Sequence, residues 1–113
     1  MIASVLSERY DTLKTQGNLN NTIGMPLTAL EMDENTEAAV FEMGMSAFGE
    51  IAAMAACGQP NIAVITMIGT SHIEFLGSRE GICRAKMEIL EGLAARGGIA
   101  VLNGDEPLLW EQK

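Results

Sequence analysis

Two cysteines and a single histidine, His72, are too few for a structural zinc centre, which draws on about four protein ligands. The cysteines, Cys57 and Cys83, have no CxxC spacing and sit in apolar stretches, so they read as buried free thiols of a reducing compartment. Basic residues are scarce as well. Seven Lys and Arg against fifteen Asp and Glu give a net charge of −8 and a pI near 4.4. That balance disfavours a surface built to neutralise nucleic-acid phosphates or anionic lipid. A phosphate site in such a chain has to be local, made from backbone amides, one or two cations or a metal.

Long apolar runs are missing too. Residues 51–73 carry no charge, but Cys57-Gly58-Gln59-Pro60-Asn61 breaks them into pieces too short to cross a bilayer. The first residues lack a basic segment and soon meet Glu8 and Arg9, so a signal peptide is not expected and the expected location is the cytoplasm. Nor does GK[ST] occur anywhere. The two glycines Gly44 and Gly49 have P-loop spacing, but Glu50 stands where that motif needs lysine, and a carboxylate there repels polyphosphate.

What is present is 48% hydrophobic residues in 113, enough for the core of one domain. Three short apolar runs, residues 37–43, 61–68 and 98–102, read as strands covered on both faces. Residues 1–13, 48–57 and 78–96 carry helical periodicity, and a further helix is expected to start near Pro26. The helix over 78–96 has Ser78 as its cap and Arg96-Gly97-Gly98 as its stop. Strands alternating with helices predict an α/β fold with a parallel sheet, whose ligands bind at the carboxyl ends of the strands.

The residues after each strand are therefore the candidates for chemistry. Glu42 closes the first strand, where an unpaired charge is costly; it is either a solvent-facing strand end or a metal ligand. His72 lies in the Gly/Thr/Ser-rich loop after the second strand and reads as a hydrogen-bonded loop residue or as a ligand of metal or phosphate. Lys86 falls on the stripe of Ile82, Ile89 and Leu93 and so projects inward, although a solvated lysine paired with a glutamate is the alternative. Inward burial beside a carboxylate favours pKa depression or covalent modification. Residues 15–26, with Asn18, Asn20 and Asn21, suit either turns or the hydrogen bonding of a polar substrate, and residues 102–107, with Asn103 and Asp105, read as a strand-end turn or as a nucleotide-contacting loop.

Five motifs occur in order: T-x-G-N-x-N-N-x-I-G-x-P from Thr15, E-M-G-x-x-x-x-G-E-I from Glu42, I-T-x-I-G-x-x-H-x-E from Ile65, G-S-x-E-x-I-x-x-A-K-x-E-I from Gly77 and V-L-N-x-D from Val101. Together they resemble the central ATPase domain of the Mur ligases, P-loop-NTPase-like three-layer α/β domains, most closely of the MurF type. The resemblance implies a ligase of peptidoglycan synthesis, and hence of cell-wall biogenesis, cell shape and division. Such a ligase joins D-alanyl-D-alanine to UDP-N-acetylmuramoyl-tripeptide through an acyl phosphate made with ATP. It implies Mg²⁺ held by Glu42, His72 and a carbamylated Lys86, substrate contacts from Thr15, Asn18, Asn20 and Asn21, and nucleotide contacts from Asn103 and Asp105. Two departures stand out: Met67 replaces the usual asparagine, and the GKT loop that precedes a helix like that of residues 1–13 is absent. The expectation is a partial central domain over residues 1–113, inactive in isolation, with apolar surface that favours self-association. The alternatives are another Mur-type amide ligase, or a non-catalytic α/β binding domain in which these residues are structural.

Overall fold

The computed structural model describes residues 1–95 and 97–112 and divides into two compact units, Met1–Gly44 and Met45–Lys113. The first holds α1 (Ile2–Leu6), β1 (Thr12–Lys14), α2 (Gly24–Ala29) and β2 (Ala38–Val40). β1 and β2 pair in parallel with Thr12 opposite Ala38 and Lys14 opposite Val40, and α2 lies in the crossover between them.

The helix expected over residues 1–13 stops at Leu6, and Thr12–Lys14 is a strand instead. Pairing decides this. The Asp11 carbonyl accepts the amides of Glu37 and Ala38 at 2.9 and 3.2 Å, and Glu37 Oε1 accepts the Asp11 amide at 3.0 Å. Such long-range bonds outweigh a local helical period. α2 begins two residues ahead of Pro26 because Asn21 Oδ1 accepts from the amides of Ile23 and Gly24, at 3.1 and 2.7 Å, and proline is tolerated in the first turn.

The second unit contains α3 (Glu50–Gly58), β3 (Ile62–Ile65), α4 (Ile73–Leu76), α5 (Arg79–Met87), α6 (Leu90–Ala95), β4 (Ile99–Leu102) and α7 (Pro107–Trp110). β3 and β4 are also parallel, with Ile62 opposite Ile99 and Ile65 opposite Leu102. The α/β class and parallel pairing therefore hold. The strands stand, among the described residues, in two two-stranded ladders, β1–β2 and β3–β4.

The single helix expected over residues 78–96 divides into α5 and α6, and Arg96 at its expected end lies outside the described residues. Its cap is as expected, with Ser78 Oγ accepting the Gly81 amide at 3.1 Å. The division falls at Glu88 and Ile89, where the bonds tighten to Ile89 N to Lys86 O and Glu91 N to Glu88 O. Gly81 is required by contact: a Cβ there would collide with the Leu76 carbonyl, where α4 turns into α5.

The core of this unit is Ile65, Ile68, Leu76, Ile82, Cys83, Ala85 and Leu109. Covering both strand faces was expected, but β3 is covered on one face alone, with Ala63 and Ile65 buried and Ile62 and Val64 exposed, and on β4 Ile99, Ala100 and Val101 are exposed and Leu102 is half-buried. Of the two thiols, Cys83 is buried as expected and Cys57, on the outward side of the end of α3, is exposed. No helix among the described residues is long and apolar enough to cross a membrane.

Candidate functional site

In the first unit the candidate residues gather just past β2. The strand ends at Val40, so Glu42 stands in the following loop, exposed, rather than within a strand reaching residue 43. Its amide donates to Thr15 Oγ1 at 2.8 Å, and Asn20 Nδ2 makes a long contact of 3.5 Å with Glu42 Oε1. The Gly44 amide donates to the Asn20 carbonyl at 2.7 Å, and a Cβ on Gly44 would lie 3.0 Å from Asn20 Nδ2. Thr15, Asn20 and Glu42 thus form one hydrogen-bonded group. Asn21 is committed to starting α2, and Asn18 lies exposed in the preceding turn.

In the second unit two of the candidates, Lys86 and Asn103, bond the chain at the carboxyl end of β3. Three consecutive carbonyls there accept bonds from side chains on other elements. Thr66 O accepts from Asn103 Nδ2, Met67 O from Lys86 Nζ and Ile68 O from Arg79 Nη2, each at 2.9 Å. Lys86 is half-buried, as its place on the apolar stripe requires, and its partner is a carbonyl rather than a glutamate. Burial lowers its pKa below the usual 10.5, against a smaller opposing influence of Cys83, so the neutral amine is more accessible than on a surface lysine. Asn103 Oδ1 accepts the Asp105 amide at 3.0 Å, which closes the turn after β4. His72 is exposed with φ 63°, a left-handed conformation uncommon outside glycine, at the start of α4; its ring lies 6.4 Å from that of Phe75.

Sequence reasoning missed three residues that hold this scaffold. Arg79 also bonds the Glu106 carboxylate at 2.9 and 3.0 Å. Its signal was a cation in the first turn of a helix, where the dipole disfavours one unless a specific anion compensates. Glu88 accepts the Gly49 amide at 2.9 and 3.0 Å and that of Ala52 at 3.3 Å, capping α3 from the break between α5 and α6. Glu50, which stands at the P-loop lysine position, accepts from Ser46 N and Ser46 Oγ at 3.3 and 3.2 Å and so closes the loop before α3.

Among the described residues no three His, Cys, Asp or Glu side chains are grouped to hold a metal ion. An exposed carboxylate such as that of Glu42 is a ligand type of Mg²⁺, which keeps several waters and shares its coordination with phosphate oxygens instead of needing an all-protein cage; His72 belongs to the other unit, beyond the end of β3 at the start of α4. As an ammonium donating to Met67 O, Lys86 cannot be a ligand; as a carbamate it would supply oxygens. A separate cleft of about 440 Å³ lies between α5 and α7, lined by Glu80, Cys83, Arg84, Met87 and Leu108 among others, and none of the expected site residues borders it.

The model of the Mur ligase middle domain matches residues 1–113. The UDP-N-acetylmuramoyl-tripeptide–D-alanyl-D-alanine ligase of Bacillus subtilis is 57% identical over 109 residues, 96% of this chain and 24% of the relative. That of Escherichia coli is 41% identical over 105 residues, 93% of this chain and 23% of the relative. Among solved structures, MurF of Acinetobacter baumannii superposes with a TM-score of 0.91 at 39% identity, over 97% of this chain and 24% of that one. MurF of Thermotoga maritima in complex with ADP gives 0.87 at 36% identity, over 98% and 26% respectively. The chain spans about a quarter of the length of the relatives it matches.

Proposed function

Because the chain belongs to the Mur ligase family and matches its middle domain, we propose that the protein carrying it joins D-alanyl-D-alanine to UDP-N-acetylmuramoyl-tripeptide at the expense of ATP, in cytoplasmic peptidoglycan precursor synthesis. The carrying observation is the identity to the Bacillus subtilis ligase across nearly the whole chain. On this reading residues 1–113 are part of the central nucleotide-handling domain.

The reaction has two steps. The tripeptide carboxylate attacks the γ-phosphorus of ATP, forming an acyl phosphate and releasing ADP. The dipeptide amine then attacks the acyl carbon, and the tetrahedral adduct loses a proton and phosphate to leave the amide. Mg²⁺, when bound, would neutralise the phosphate charge; its candidate ligands in this chain are Glu42 in the first unit and His72 and a carbamylated Lys86 in the second.

Lys86 favours that modification chemically. Its depressed pKa raises the fraction of neutral amine, which adds CO₂ at carbon, forms an N–C bond and releases a proton to leave a carbamate. Thr15 and Asn20 shape the loop that presents Glu42, and with Asn18 and Asn21 they offer polar groups to the substrate. Asn103, already bonded to Thr66 and Asp105, holds in place the loop offered to the nucleotide.

The test is turnover by the full-length protein given UDP-N-acetylmuramoyl-tripeptide, ATP and Mg²⁺. Amide product and phosphate are expected only when D-alanyl-D-alanine is added. Product formed with a single amino acid but not with the dipeptide would point to a different Mur-type ligase, and no ATP-dependent product would overturn the ligase reading.

A further inference from the structure

We propose that Arg79, through its ion pair with Glu106, is a positioning residue that locks the loops after β3 and β4 together and so sets the affinity for nucleotide. This rests on the reading that those loops face ATP. Asn103 N to Ile65 O, at 3.2 Å, is the last backbone bond between the two chain segments. Beyond it, two side-chain struts continue the connection. One runs from Asn103 Nδ2 to Thr66 O at 2.9 Å; the other is Arg79, whose Nη2 reaches Ile68 O at 2.9 Å and the two Glu106 oxygens at 3.0 and 2.9 Å.

The struts close a ring. On the β3 side it passes from Thr66 to Ile68, and on the β4 side through the turn made by Glu106 N to Asn103 O at 3.2 Å. Glu106 is well placed to anchor it, because its side chain is only 12% exposed and also accepts the Leu108 amide at the start of α7. The Arg79 side chain is 43% exposed, so water and salt weaken the pair, but its two kinds of acceptor make it a bridge rather than a lone surface pair. Past Ile68 the chain runs directly to His72; within the turn lie Asn103 and Asp105. A change at Arg79 therefore reaches both groups without touching either.

The experiment compares full-length wild type, R79M and R79K in steady-state ligation, with amide hydrogen exchange measured on the same proteins. R79M is expected to raise KM for ATP on the order of tenfold, as loss of a charge-assisted bridge allows, while KM for D-alanyl-D-alanine stays within about twofold. R79K, which keeps a cation but replaces the planar guanidinium with a shorter ammonium head, is expected to recover part of the loss. A purely structural role would lower the active fraction, and thus kcat, and leave KM for ATP unchanged; that result overturns the proposal. In R79M the amides of residues 69–72 and 103–106 are expected to exchange faster together, and faster exchange in one segment alone, or in neither, also overturns it. If wild type shows no ATP-dependent ligation, the functional reading fails, and the paired exchange still decides whether the lock exists.

Discussion

The two strand ends that carry the candidate residues are held by opposite chemistry. After β2, loop amides are the groups being satisfied, by the Thr15 hydroxyl and the Asn20 carbonyl, and the carboxylate of Glu42 is left facing outward. After β3, loop carbonyls are satisfied, two of the three by the cations Lys86 and Arg79. Neutral bonds of the first kind contribute about 1 kcal/mol each, and charge-assisted ones about twice that. Packing follows the same division. The unit around β3 has a contiguous core of seven residues, whereas in the unit around β2 the buried side chains are Ala3, Met25 and Thr28. One end presents an acidic group from a lightly packed unit, and the other is a cation-braced edge on a packed one.

Core truncation tests that contrast most strongly. Ile82→Ala, at a residue 1% exposed within the core, is expected to cost about 3 to 4 kcal/mol in urea unfolding of the protein. Met25→Ala, equally buried but with few buried neighbours, is expected to cost about 2 kcal/mol because its surroundings collapse more readily. Equal costs would break the distinction. Gly81→Ala comes next, at about 2 kcal/mol, since the added methyl meets a backbone carbonyl that cannot swing away.

Smaller effects sharpen the chemistry. Thr15→Val removes the acceptor of the Glu42 amide and is expected to cost about 1 kcal/mol, equally at low and high salt. Glu106→Gln keeps a hydrogen-bond acceptor but loses the charge, so its penalty is expected to shrink in 1 M salt, where screening acts over about 3 Å. The check is denaturant midpoints of both variants at two salt concentrations. Identical salt responses would show that the two ends are not held differently.

Much of this was legible in the sequence because it depended on local pattern. The apolar runs at β2, β3 and β4, the Ser78 cap and the inward course of Lys86 follow from periodicity and capping chemistry over a few residues. β1 was not legible, because Thr12–Lys14 is extended only through its pairing with Ala38–Val40, far along the chain. The division of the long helix at Glu88 was hidden for the same reason: that carboxylate answers to amides of Gly49 and Ala52. Glu42 and His72 stood out by residue type and position after strands and Lys86 by its place on a helical stripe, while Arg79 and Glu106 looked like surface charges until their loops were seen together.

The thiols make the finest comparison, because one lies inside the packed core and the other outside it. Cys57 is exposed and is expected to react with a thiol reagent at neutral pH at least about tenfold faster than Cys83, which is 4% exposed. Burial, followed by the nearby charges of Glu106, Glu111 and Glu80, raises the Cys83 pKa above its ordinary 9.0. Above pH 9 the unfolded chain therefore loses a proton that the folded chain keeps, and stability falls as pH rises. Lys86 acts in the opposite sense: its folded pKa is depressed, so just below 10.5 the folded state binds fewer protons and stability rises toward that pH. Cys83→Ala is thus expected to remove the alkaline fall and Lys86→Met the opposing rise, read from denaturant midpoints between pH 8 and 11. If Cys83→Ala leaves the alkaline slope unchanged, or if both thiols label at one rate, Cys83 is not sealed within the core that braces the β3 edge.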